Sequence, residues 1–142
     1  MSNDECRIAN VEGGENASMK ETHREFDLED RLVDYASAII ELTEALPNTR
    51  AGNHVAGQLL RSGTSPAPNY GEAQAAESRR DFMHKMGICL KELRESRIWL
   101  RIIRRRAMLK ELIVEPNMRE TEELIRIFKS SIATAKRNDS KP

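Results

Sequence analysis

The sequence predicts an all-α protein, an antiparallel up-and-down four-helix bundle with a proline-kinked second helix, and three observations carry that prediction. Of its 142 residues 32% are charged and only 4% aromatic, whereas a sheet draws more heavily on aromatic and β-branched side chains. Apolar residues recur at three- and four-residue spacing in successive long stretches, the period of a helix with one buried stripe. Short runs of turn residues separate those stretches, and short connections make sequential helices antiparallel neighbours.

The elements follow in chain order. Residues 1–26 combine Gly13-Gly14 with scattered Asn and Ser and few large apolar side chains, which predicts a disordered tail. Residues 27–136 are predicted to form the bundle, and residues 137–142 a flexible polar end. Helix one opens near Asp27 and carries Leu28, Leu32, Tyr35, Ile39, Leu42 and Leu46 on one stripe until Pro47-Asn48. Helix two begins at Thr49 or Asn53 and runs through Val55, Leu59 and Leu60 to a weak point at Ser62-Gly63. Pro66 and Pro68 then impose a kink or break, because proline removes a backbone donor and clashes with the preceding turn. Helix resumes over Tyr70 to Ala76. Ser78, three residues before Asp81, predicts the start of helix three, whose buried face is Phe82, Met86, Cys89, Leu93, Ser96, Leu100 and Ile103. Glu115-Pro116-Asn117 predicts the next turn, followed by a shorter helix four carrying Leu124, Ile125, Phe128 and Ile132.

Composition narrows the function classes. No apolar run approaches the ~18 residues that span a bilayer, and the N-terminus lacks signal-peptide blocks, so a cytoplasmic location is expected. Cys6 lies in the polar tail and Cys89 on a core stripe, which argues against a disulfide. Net charge is zero, but residues 1–50 hold 12 acids against 5 bases while residues 79–110 hold 11 bases against 3 acids. A di-iron bundle needs two Glu-x-x-His motifs, and the nearest match is a single Asp81-x-x-His84. His23, His54 and His84 fall in separate elements, and the sequence has no phosphate loop and no zinc spacing. No enzyme, cofactor or metal is therefore expected.

The residues that bear a family resemblance run from Gln58 to Ala73 (QLLRSGTSPAPNYGEA), then Ser78 to Phe82 (SRRDF) and Leu90 to Glu95 (LKELRE). Over about residues 28–135 the chain resembles the four-helix-bundle family related to 23S rRNA-intervening sequence proteins. Ser65, Asn69, Glu72 and Phe82 match positions typical of the family. Where members commonly have one proline followed by Asn-Ile-Ala-Glu-Gly, this chain has Pro66 and Pro68 bracketing Ala67, then Asn-Tyr-Gly-Glu-Ala. The resemblance implies a left-handed antiparallel bundle, a ring-like homo-oligomer, commonly a pentamer, and no catalytic activity. Members mostly lack a defined biochemical role, while a relative that accompanies diversity-generating retroelements binds nucleic acid and reverse transcriptase through a basic surface.

Three constellations are candidates for function. Lys91, Arg94, Arg97, Arg101, Arg104 and Arg105 form a basic stripe on helix three, with the five arginines within about 100° of one another. Guanidinium forks in a row suit phosphates, and several together bind RNA or DNA without reading sequence. Charge runs are more often a solvated face, here one paired with Glu29, Asp30, Asp34, Glu41 and Glu44 of helix one, within the subunit or across an interface, and that reading is favoured over nucleic acid for the stripe itself. Ile98, Trp99 and Ile102 point away from the core stripe and predict an extra contact, with an oligomer interface favoured over further wrapping by the same bundle. Ser65, Pro66, Pro68, Asn69 and Glu72 are read as a structural corner in which polar side chains satisfy backbone groups freed by the prolines. The functional expectation is a non-enzymatic oligomeric binding or scaffold protein, with nucleic acid as the leading partner and a protein-only adaptor as the alternative.

Overall fold

A computed structural model describes residues 27–140, so the tail assigned to residues 1–26 lies outside the described residues, as do residues 141–142. The chain divides into two units, Met1–Arg31 and Leu32–Pro142. In the first, the Asp27 carboxylate accepts the Asp30 amide at 3.0 Å, an N-terminal cap that opens the first helix. The second holds the bundle. Among the described residues all regular structure is helical: α1 (Leu28–Glu44), α2 (Arg50–Thr64), α3 (Pro66–Gln74), α4 (Arg79–Arg105) and α5 (Glu111–Asp139). This is a four-helix bundle whose second helix, α2 plus α3, is kinked at Ser65.

Caps explain the boundaries of the middle helices. Thr49 Oγ1 accepts the Gly52 amide and Ser78 Oγ accepts the Asp81 amide, each at 3.0 Å, satisfying donors that a helix start leaves free. At the corner Ser65 keeps helical dihedrals, φ −70° and ψ −37°, and Pro66 takes the first position of α3, where its missing donor costs nothing. The Asn69 amide bonds both the Ser65 carbonyl and its hydroxyl at 2.9 Å. Glu72 instead reaches Lys85 of α4 at 3.4 Å. Gly63 sits where a Cβ would lie 2.7 Å from Ile39 Cγ2, so its missing side chain lets α1 and α2 approach closely.

The last helix differs from the sequence expectation. It begins at Glu111, spans 29 residues and carries Pro116 in its interior, so Glu115-Pro116-Asn117 is helix and not a turn. Proline is tolerated here because its missing N–H frees only the carbonyl of Leu112, near the helix start, at a residue that is 81% exposed. The actual turn is residues 106–110. Met108 N–H bonds the Ile103 carbonyl at 3.0 Å and Ala107 N–H bonds Arg104 at 3.1 Å, the paired closure that ends a helix with one left-handed residue. That residue is Ala107, φ 52°, the one non-glycine with positive φ among the described residues. At the other end α5 stays helical through Asp139, beyond the predicted fraying at residue 137.

Leu32, Tyr35, Ile39, Leu42, Leu59, Met86, Leu93, Leu100, Ile103, Leu124 and Phe128 fill the core. Tyr70 of α3 meets Phe128 of α5 edge to face at 5.9 Å. Through this apolar interior runs a set of hydroxyls, one from each side of the bundle. Tyr35 Oη lies 2.7 Å from Thr121 Oγ1, which donates to the Asn117 carbonyl at 2.6 Å. Ser96 Oγ lies 2.8 Å from Ser62 Oγ and 3.0 Å from the Glu92 carbonyl, and it also faces Tyr35. All four side chains are buried, and no buried side-chain polar atom among the described residues lacks a partner. Burial pushes the Tyr35 hydroxyl up to about 12 against the lowering effect of its Thr121 and Ser96 bonds, and burial likewise pushes the Cys89 thiol up to about 12.

Candidate nucleic-acid interface

Helix α4 sorts its side chains by angle. With Leu93 as origin and about 100° per residue, the buried Cys89, Ser96, Leu100 and Ile103 cluster around one direction. Arg97 and Arg104 fall at the margin of that face. Arg94, Arg101 and Arg105 stand about 100° round from Leu93, followed by Ile98, Lys91 and Ile102 on the outermost line. Lys91, Arg94, Arg101 and Arg105 are exposed and Arg97 is half-buried. From Lys91 to Arg105 the row covers about 21 Å of helix.

The six basic residues do not share one environment. Arg104 Nη2 lies 2.6 Å from Glu111 Oε1 and 2.7 Å from Glu115 Oε2, and its Nε donates to Glu111 Oε2 at 3.1 Å. Those carboxylates, the Glu111 hydrogen bond first, hold the Arg104 guanidinium above its ordinary range. Among the described residues, no carboxylate lies within ion-pairing distance of Lys91, Arg94, Arg97, Arg101 or Arg105. Within the described chain, the acids that neutralise the stripe thus come from α5 at one arginine, and Asp34, Glu41 and Glu44 of α1 pair with none of it. Spacing alone could not separate Arg104 from its neighbours, because the pairing depends on where α5 begins.

Beside the cations lies a shallow groove lined by Ile98, Arg101, Ile102 and Arg105. Ile98 is 52% and Ile102 37% exposed, so no part of the described chain covers them. Trp99 separates from this pair. It is half-buried, its ring meets His54 of α2 edge-on at 5.9 Å, and its Nε1 donates to Glu95 Oε2 at 3.3 Å. Glu95 and Glu92 in turn hold Arg61 of α2, Glu92 at 3.0 Å. The flank of α4 toward α2 is therefore closed by charge and ring contacts, and its outward flank is open.

His54 and His84 are both exposed and lie on different helices, and among the described residues no three His, Cys, Asp or Glu side chains gather to hold a metal. Among the same residues no helix is long and apolar enough to cross a membrane.

Fold and site together define a class, an all-helical bundle with a row of exposed cations on one helix. More particularly, the chain belongs to the 23S rRNA-intervening sequence protein family, whose sequence model matches residues 24–130. It is similar to a protein of unknown function from the S23 ribosomal protein family of Bacteroides thetaiotaomicron, known from a crystal structure. The two share 33% identity over 73% of this chain and 96% of that one, with a TM-score of 0.69. No curated protein matches the chain.

Proposed function

We propose that the chain is a non-catalytic binding module that takes RNA on the outer face of α4 and works as a homo-oligomer. One observation carries the reading: Lys91, Arg94, Arg97, Arg101 and Arg105 occupy about four turns of one helix with no carboxylate within ion-pairing distance among the described residues. Like charges three and four residues apart repel by a few tenths of a kcal/mol per pair, so the row favours an external anion. A phosphodiester strand supplies one, and each contact releases condensed counterions. The family name, which refers to an intervening sequence in ribosomal RNA, is consistent with RNA over other polyanions. The exposed Ile98 and Ile102 support assembly, because aliphatic side chains on an outer helix face gain by being covered.

Binding of labelled oligouridylate across a salt series tests this. Five single-strand contacts give a slope of log K against log salt of about −3.5. Arg97→Glu with Arg101→Glu should abolish binding at low salt while light scattering shows an unchanged oligomeric mass. Absence of binding by the unaltered protein to any RNA or DNA at low salt would end the nucleic-acid reading, and a monomeric mass would end the oligomer reading. The groove between Ile98 and Arg105 favours one alternative, an acidic amphipathic protein partner, since isoleucine does not stack on bases as aromatic residues do.

A further inference from the structure

We propose that Glu111 and Glu115 withhold Arg104 from the anion-binding row by occupying it with carboxylates where a phosphate would otherwise sit. The inference rests on the RNA reading of α4 and concerns which arginines of the helix a strand can use. Arg104 belongs to the row by position, seven residues after Arg97 and three after Arg101. Its guanidinium is nevertheless taken: Glu111 meets it with both oxygens, Oε2 on Nε at 3.1 Å and Oε1 on Nη2 at 2.6 Å, while Glu115 adds Oε2 at 2.7 Å. That two-point approach is the geometry a guanidinium also uses for phosphate.

The carboxylates are fixed from two directions. Glu111 is the first residue of α5, placed by the tight closure at Ala107, and Glu115 stands one turn further, its second oxygen 3.3 Å from Arg119. Two carboxylates on one guanidinium, one of them shared with Arg119, leave Arg104 no charge or donor geometry free for a phosphate. A strand seated on Arg94, Arg97 and Arg101 therefore gains no contact at Arg104. Arg105, about 100° round the helix, keeps its open position.

Four proteins measured with labelled oligouridylate in one salt series test the inference: unaltered, Arg104→Ala, Glu111→Gln with Glu115→Gln, and all three changes together. Arg104→Ala alone should leave the salt slope unchanged. The double glutamine variant should bind several-fold more tightly with a slope steeper by about 0.7, one further phosphate contact, and adding Arg104→Ala should remove that gain. Glu41→Gln with Glu44→Gln on α1 removes the same formal charge away from Arg104 and should leave the slope where it was. A flatter slope from Arg104→Ala alone overturns the proposal, as does an unchanged slope in the double glutamine variant or an equal gain from the α1 control. Binding by the unaltered protein in those cases leaves the RNA reading standing, whereas no binding by any of the four overturns both.

Discussion

The two flanks of α4 obey opposite rules. Toward α2 and the core, polar atoms are matched in place: Ser96 with Ser62, Arg61 with Glu92 and Glu95, the Trp99 N–H with Glu95. Away from the bundle, Lys91, Arg94, Arg97, Arg101 and Arg105 have no carboxylate within ion-pairing distance among the described residues, and Ile98 and Ile102 stand exposed. A buried polar group must find its partner inside the chain, because leaving it unpaired costs roughly 1–3 kcal/mol. A solvated cation meets no such demand. The matched flank therefore reports what folding requires, and the open flank is free to serve an external partner.

Adjacent residues offer the sharpest way to break that comparison. Leu100 is fully buried and Arg101 exposed. Leu100→Ala should lower unfolding free energy by about 2–5 kcal/mol, and Arg101→Ala should stay within about 0.5 kcal/mol, both read from denaturant curves. Equal losses would mean that the outer row is structural.

A smaller effect follows from pH. Tyr35 and Cys89 both have folded values raised to about 12, above their ordinary 10.0 and 9.0. A raised value means that the neutral form is favoured by folding, so this stability is complete below the ordinary value and is lost as pH climbs toward 12. Denaturation should therefore set in over pH 9 to 12. Tyr35→Phe should flatten the upper part of that decline, and an unaltered profile would show that the hydroxyl is not sealed from water.

The smallest effect tests the joint between the two behaviours. Ala107 holds φ 52° at the end of α4, a conformation that costs a residue with a Cβ roughly 1 kcal/mol and glycine almost none. Ala107→Gly should raise the melting temperature by a few degrees, measured by circular dichroism. A lowered value would mean that the turn is held by contacts of the Ala107 methyl group.

Much of the fold was legible because stripes and caps are local signals. The face of Leu32, Tyr35, Ile39 and Leu42 and the Ser78 cap follow from spacing and side-chain chemistry, and both stand in the structure. The turn after α4 was hidden for a physical reason. Helix ends of this kind usually announce themselves with glycine, and here alanine takes the position while Arg104, Arg105 and Arg106 continue a helical pattern. Pro116 then drew the expected turn to itself. That displacement also hid part of the site: with Glu115 read as a turn residue and Glu111 assigned to no element, nothing marked them as partners of Arg104. The remaining cations were visible as a row, because exposure of a charged helix face is set by periodicity. Thr121 gave no sequence signal, since its role depends on which helix stands opposite.

The hydroxyls of Tyr35, Ser62, Ser96 and Thr121 have a consequence for how the helices find one another. Hydrocarbon packing tolerates sliding, since leucine against leucine is nearly as good one turn along. A helix displaced by a turn, about 5.4 Å, would carry its hydroxyl into hydrocarbon and strand the one it left behind. The four oxygens work as a vernier: each bond is modest, yet misalignment anywhere on the scale is penalised, and one axial setting of the bundle is selected from several that oil alone would accept.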